Sequence, residues 1–319
     1  MRVLVTGASG FVAPYFVKAI EEAASNCEVF GCARGRTLSD VKRPDFLVDV
    51  TDEAAVDALI SDIRPTHVMH LAGVSTVVEA EFNPKAAWQI NVFGTLNVAR
   101  SILKRSPECV LLFAGSGEVY GASANQMMPL TEEALLQPVS EYAVTKAAAD
   151  LAIGALSNTG LRNIRLRAFN HVGAGQNENH ALSSFAAQIA RIEEGVQSAI
   201  IRVGNLDVER DFLDVQDVAD AYAKAILCSD KIVSGTILNI ASGRLMQLND
   251  LLHRLIALAK VDVQVQQDSA RFRTVDLPKI YGDASKAKQM LNWTPRRDFD
   301  QTLHQLLVSW RAKIRGAKR

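Results

Sequence analysis

Short apolar runs alternate with longer amphipathic stretches through the first half of the chain. Arg2–Thr6, Glu28–Ala33, His67–Leu71, Cys109–Ala114 and Asn163–Ala168 are rich in Val, Ile, Leu or Phe and nearly continuous in apolar character. Parallel strands covered on both faces read this way. Between them, Phe11–Ala24, Glu53–Ile63, Pro84–Arg105 and Glu141–Thr159 carry helical patterns. Pro84 suits a first helical turn. The repeating strand–helix–strand order predicts a doubly wound parallel sheet. The second half changes rhythm. It predicts helices at Ala181–Glu194, Val215–Leu227, Leu248–Ala259 and Gln301–Arg311, with short strands at Ala199–Val203 and Thr236–Ile240. The loop-rich stretches Asn170–His180 and Gly204–Asp214 are where substrate contacts are expected, since binding groups favour loops held by a rigid scaffold. The basic end from Arg311 to Arg319 reads as a solvated tail.

Composition narrows the class. The chain has 319 residues, 48% of them apolar, enough for a sizeable core. At ~100–200 residues per domain this is one large unit or two coupled ones. Lys plus Arg and Asp plus Glu both number 35, so the formal net charge is zero. A general nucleic-acid binder carries a basic excess, and none is expected as a partner. No uninterrupted apolar run approaches ~18 residues, which argues against a membrane span. The opening MRVLVTGASG reads as a strand and glycine turn rather than a secretory leader, so the expected location is cytoplasmic. Cys27, Cys32, Cys109 and Cys228 form no CxxC pair and no zinc spacing, and read as buried or incidental thiols. The six histidines show no HExxH pattern, and no metal is expected.

Candidate chemistry begins at Thr6-Gly7-Ala8-Ser9-Gly10-Phe11-Val12-Ala13, between the first strand and first helix. Gly7 permits a tight turn, and Gly10 lets backbone approach a pyrophosphate at a helix N-terminus. Gly7, Ser9, Gly10, Phe11 and Val12 are therefore the expected phosphate cradle of a dinucleotide. The second strand ends Ala33-Arg34-Gly35-Arg36, with no acid for ribose hydroxyls. Two arginines there suit a 2′-phosphate, hence NADP(H); solvated surface arginines are the alternative. Asp49 and Val50 are placed to meet the adenine, with Asp49 equally readable as a turn former. Leu71, Ala72 and Gly73 are placed for the inner phosphate–ribose region.

Tyr142 and Lys146 lie four apart on a predicted helix and share one face. An ammonium beside a phenol favours phenolate, so the Tyr142 pKa is expected below the usual value of about 10. Ser116 follows the apolar run Cys109–Ala114, in the segment Gly115-Ser116-Gly117-Glu118-Val119-Tyr120-Gly121.

With TGASGFVA, HLAG, Asn91 in NVFGT, SGEVYG, EYAVTK and NWTPR, the chain resembles the extended short-chain dehydrogenase/reductases that act on nucleotide-sugars, over nearly its whole length. The resemblance implies a Ser116, Tyr142, Lys146 catalytic triad. It implies that Asn91 orders the site and that Tyr142 and Lys146 also touch the cofactor, with Lys146 on the nicotinamide ribose. Arg167-Ala168-Phe169-Asn170-His171-Val172-Gly173-Ala174-Gly175-Gln176 is similar to the RxFNHxGPGQ segment of the GDP-mannose branch, with Ala174 in place of Pro, a change expected to loosen the loop. The segment from Val203 to Phe212 is similar to VGNLxxxRDF of the same branch. Arg210 and Arg273 are then the expected diphosphate clamps, with surface salt bridges as the alternative. Asp276 is expected at the nucleotide ribose, and Glu118 and Asn170 at the sugar.

The resemblance thus implies an α/β, Rossmann doubly wound parallel sheet with a smaller C-terminal α/β substrate domain. Residues 1–169 plus 211–241 would bind NADP(H), and 170–210 plus 242–319 the nucleotide-sugar. The expected reaction is NADPH-dependent reduction of the C4 ketone of GDP-4-keto-6-deoxy-D-mannose to GDP-D-rhamnose. A GDP-mannose 4,6-dehydratase is the alternative, because Glu118 stands where dehydratases keep an elimination base; another epimerase or reductase of the family is the broader one. The expected partners are a GDP-sugar and a second copy of the chain, joined through the helices containing Asn91 and Tyr142.

Overall fold

The computed structural model describes residues 1–35, 45–272 and 275–317. Seven parallel strands form one Rossmann-type sheet. In chain order its first six are β1 (Arg2–Thr6), β2 (Glu28–Ala33), β3 (Asp45–Leu47), β4 (His67–His70), β5 (Val110–Ser116) and β6 (Arg162–Ala168). The seventh is Thr236–Ile240, and the spatial order is Thr236–Ile240, β6, β5, β4, β1, β2, β3. The chain leaves β1 toward one edge and returns through β4 toward the other. That reversal opens a crevice at the carboxyl ends of β1 and β4.

The continuous apolar runs are explained by cover on both faces. Successive side chains point to opposite sides of a strand. Val3 and Val5 join a core with Phe16 and Ile20 of α1 (Ala13–Ala23) and with Val218 and Tyr222 of the helix Val215–Leu227. Leu4 faces the other way, into a core with Ile60 of α2 (Glu53–Ile63) and Val68 and Leu111 of β4 and β5. Fully burying such side chains contributes about 1.5–3 kcal/mol each. A third core lies beyond the sheet. It packs Phe185 and Ile189 of the helix Ala181–Glu193 against Leu251 and Leu255 of Leu248–Ala257 and Leu306 and Trp310 of Phe299–Ala317. Small sheets accompany it, one pairing Ile200–Val203 with Gln264–Gln267, another joining Glu209–Arg210 to Met246–Gln247 and Lys279–Ile280.

Three expectations need correction. The stretch Pro84–Arg105 is not one uniform helix. After α3 (Val77–Phe82) it runs as α4 (Pro84–Trp88), a π-helical turn over Gln89–Gly94, and α5 (Thr95–Arg105). The first helix starts at Ala13 rather than Phe11, with Val12 as its N-terminal flanking residue. The basic end is an ordered helix up to residue 317, although Ala312, Lys313, Arg315 and Gly316 on it are exposed. Arg311 Nη2 and Nε donate to Glu193 at 2.7 Å, and Arg315 Nε to Glu194 at 2.7 Å. Among the described residues, no helix is long and apolar enough to cross a membrane. Cys32 and Cys109 are buried, and burial pushes both thiols up to about 12.

Candidate active site

The crevice is lined by turns that only small residues allow. Gly7 has φ of +69°, and a Cβ there would lie 2.7 Å from the Ala72 backbone nitrogen. The turns after β1 and β4 therefore pack backbone to backbone. Gly10 N donates to Gly7 O at 2.8 Å, closing the turn. Ser9 and Gly10 are exposed, and Phe11 and Val12 half-buried. Among the described residues no side chain caps α1. Its first N–H groups are left with the positive end of the helix dipole, as an anion site requires. The cradle thus fits a dinucleotide pyrophosphate. Gly73 presses on the next element, since a Cβ there would sit 2.9 Å from Asn91 Oδ1. Arg34 is exposed just beyond β2; Arg36 lies outside the described residues. Asp49 does form a turn, its Oδ1 accepting from Thr51 N at 2.9 Å and Thr51 Oγ1 at 2.8 Å. Val50 is buried, with its carbonyl held by Asn97 Nδ2 at 3.0 Å.

Ser116 is the last residue of β5, and its Oγ accepts from Glu118 N at 3.2 Å. Tyr142 and Lys146 sit one turn apart at the start of α6 (Glu141–Leu156), whose first turn is capped by Ser140. The Ser116 side chain is near enough to Tyr142 to act on its phenol. Lys146 Nζ donates to Ala114 O at 2.6 Å and lies 4.5 Å from the centroid of the Phe113 ring. The expected depression of the phenol pKa is not found. Burial pushes Tyr142 up to about 12, the Glu118 carboxylate adds to the rise, and the Ser116 hydrogen bond only partly opposes it. Lys146 is itself brought down to about 8 by burial, against the pull of Asp150.

Asn91 belongs to the π-helical turn. Its Oδ1 accepts from Val74 N at 2.8 Å, and its Nδ2 donates to Thr145 Oγ1 at 2.9 Å. Thr145 Oγ1 in turn donates to Tyr142 O at 2.9 Å. Asn91 thereby ties the turn after β4 to the helix of Tyr142.

Glu118, Arg210 and Asp276 line one narrow cavity, with Val77 and Ser140 on its wall. Arg210 Nη2 donates to Asp276 Oδ1 at 2.6 Å, and Nη1 to Glu209 O at 3.0 Å. A salt bridge is present, therefore, but Arg210 is only 7% exposed and lies in the cavity wall, not on the surface. Asn170 Nδ2 donates to Asp211 O at 3.3 Å, joining the strand pair Asn170–Val172 and Phe212–Asp214. Arg273 lies outside the described residues.

Residues 3–241 match the NAD dependent epimerase/dehydratase family. The chain belongs to that family. Members of the epimerase/dehydratase family are NAD(P)-dependent enzymes of nucleotide-sugars. The chain is 33% identical over 315 residues to the GDP-6-deoxy-D-mannose reductase of Pseudomonas aeruginosa, covering 98% of both. It is 27% identical over 294 residues to the GDP-6-deoxy-D-talose 4-dehydrogenase of Aggregatibacter actinomycetemcomitans, covering 91% of both. A solved structure of RMD from P. aeruginosa complexed with NADPH superposes with a TM-score of 0.83 at 31% identity, covering 98% of this chain and 99% of that one.

In this epimerase/dehydratase chain, several contacts around the site have no local sequence signal. Thr145 and Ser140 sit within EYAVTK and its flank, yet only the fold shows what their hydroxyls hold. The His171 ring stacks on Phe11 at 6.2 Å, bringing the second half of the chain against the glycine turn. Two hydrogen bonds hold the Ala174 loop. Tyr15 OH donates to Ala174 O at 2.7 Å, and Gln176 Nε2 to His171 O at 2.8 Å.

Proposed function

We propose that the protein reduces the C4 ketone of GDP-4-keto-6-deoxy-D-mannose to GDP-D-rhamnose, using NADPH. The observation that carries this reading is the end-to-end 33% match to a GDP-6-deoxy-D-mannose reductase. Held near 12, Tyr142 keeps its proton at neutral pH, and reduction needs an acid that gives a proton to the developing alkoxide. Ser116, whose side chain already acts on Tyr142, holds the same oxygen. Lys146 supplies positive charge beside them in a buried setting where charge counts for more than in water. When bound, NADPH supplies the hydride.

Gly7, Ser9, Gly10, Phe11 and Val12 hold the pyrophosphate, Arg34 the 2′-phosphate, and Asp49 and Val50 the adenine. Leu71, Ala72 and Gly73 line the inner ribose, Asn91 orders the site, and Tyr142 and Lys146 meet the nicotinamide ribose. Glu118 and Asn170 meet the sugar. Arg210 takes the diphosphate once Asp276 turns to the nucleotide ribose and frees Nη2. In this reading residues 1–169 plus 211–241 serve the cofactor and 170–210 plus 242–319 the sugar nucleotide. A homodimer through the π-helical turn and α6 is supported by two apolar side chains there, Phe93 at 49% and Leu151 at 58% exposed.

Arg34, with no acid at the end of β2, predicts NADPH over NADH by roughly ten- to a hundredfold in kcat/KM, since charge-assisted contacts contribute ~1.5–3 kcal/mol. Arg34→Ala should erase most of that preference. Equal kcat/KM for the two cofactors in the parent protein would leave Arg34 as a surface charge.

Dehydration of GDP-mannose is the second reading, favoured by Glu118, whose carboxylate is near enough to act on Tyr142. Glu118→Gln separates the two. It keeps size and hydrogen bonding but removes the base, so ketone reduction should fall less than about tenfold, or roughly 1.4 kcal/mol. A parent protein that dehydrates GDP-mannose, and loses that activity by orders of magnitude in Glu118→Gln, would replace the reductase reading.

A further inference from the structure

One buried histidine next to the site is used by none of the chemistry above. His70 ends β4 and is 1% exposed. Its Nδ1 is 2.7 Å from Thr6 Oγ1, and its Nε2 is 2.9 Å from Thr95 Oγ1. The hydrogen positions follow from the neighbours. Thr95 Oγ1 gives its proton to Asn91 O at 2.7 Å, so it accepts from His70 Nε2–H. Nδ1 then accepts from the Thr6 hydroxyl, whose oxygen receives Ala72 N–H at 3.3 Å. Each donor meets one acceptor, in one direction, from the turn after β4 to the π-helical turn. The ring also lies 6.2 Å from the Phe113 ring, on which Lys146 Nζ rests. Burial and the Lys146 charge hold the imidazole down to about 3, so it stays neutral and the line of bonds persists at physiological pH.

Thr6, Asn91, Thr95 and Thr145 are all at most 1% exposed, so water cannot replace a lost partner. We propose that His70 is a positioning residue. By joining Thr6 to Thr95 it fixes the π-helical turn that carries Asn91, and through Asn91 and Thr145 the first turn of the helix that carries Tyr142. Two turns assigned to the dinucleotide and the turn beneath the catalytic tyrosine are thereby locked in one register. The inference rests on the reading that Ser116, Tyr142 and Lys146 act on a sugar ketone.

The test separates the Thr95 hydroxyl from its methyl group. Thr95→Val keeps the shape and removes the bond to Asn91 O, while Thr95→Ser keeps the bond and removes the methyl. A misplacement of about 1 Å at a catalytic group can cost ~10²-fold. Thr95→Val should therefore lower kcat at least about tenfold, with KM for NADPH within about threefold, and Thr95→Ser should stay within about threefold of the parent in both. His70→Leu should match Thr95→Val, and the double variant should lose little more, since the two act as one unit. The Asn91 side-chain amide resonances, followed by NMR, should shift in Thr95→Val and return in Thr95→Ser. The opposite order, with Val near the parent and Ser impaired, would make Thr95 a packing residue and overturn the proposal. So would losses that multiply in the double variant. If the parent does not turn over the keto sugar, the functional reading fails, and the NMR comparison alone decides the role of His70.

Discussion

Tyr142→Phe should lose ~10²–10⁴ of kcat in ketone reduction, the usual cost of removing a general acid. Its affinity for NADPH should change by less than about threefold, because the ring and the Lys146 contacts remain. Three features set this expectation. The Ser116 side chain acts on the phenol, burial raises its pKa so that it holds its proton at neutral pH, and one Lys146 N–H donates to Ala114 O at 2.6 Å. Steady-state kinetics with the keto sugar, beside NADPH titration followed by fluorescence, checks both halves. A near-normal kcat would remove Tyr142 from the chemistry.

Stability should depend most heavily on a buried ion pair behind the same helix. Arg167 is 2% exposed. Its Nε and Nη2 donate to Asp150 at 3.0 and 2.8 Å, and its Nη1 to Tyr120 OH at 3.0 Å. Arg167→Met leaves a fully buried carboxylate with one remaining arginine, Arg165, whose Nη1 is 2.9 Å away. Removing one partner of a buried pair costs about 3–5 kcal/mol, and the surviving Arg165 bond places this case near the lower figure. Thermal or urea unfolding should show a loss of about 3 kcal/mol. A loss below about 1 kcal/mol would mean that Arg165 alone satisfies Asp150.

The elements that the sequence made legible are those whose burial is complete. β1 and β5 are apolar almost without a break because helices cover both faces, and their limits could be read to within two residues. The π-helical turn was not legible, since Gln89–Gly94 keeps the helical pattern of its flanks and only the Asn91 contact with Val74 marks the extra residue. The last helix ran past its expected end because Arg311 and Arg315 find Glu193 and Glu194 more than a hundred positions earlier, pairs that no local window contains. β3 is only faintly legible, as a strand-like run ending at Asp49-Val50, because it is three residues long and Leu47 is exposed.

The same division holds at the site. The positions of Gly7, Ser116, Tyr142 and Lys146 in the fold were legible because turn chemistry, strand end and helical spacing are local. Their electrostatics were not. Spacing puts Lys146 beside Tyr142, but the sign of the phenol shift depends on burial and on Glu118, 24 positions away in the chain. Arg210 could be placed in the site by its segment, whereas its ion pair with Asp276 needed the fold.

The most direct measurement follows deuterium from NADPH labelled at C4 of the nicotinamide into the sugar product. The account predicts that the keto sugar is consumed mole for mole with NADPH, and that the GDP-deoxyhexose formed is one mass unit heavier, with the label at sugar C4. Formation of a 4-keto-6-deoxy sugar from GDP-mannose, with no label gained and no NADPH lost, would contradict it.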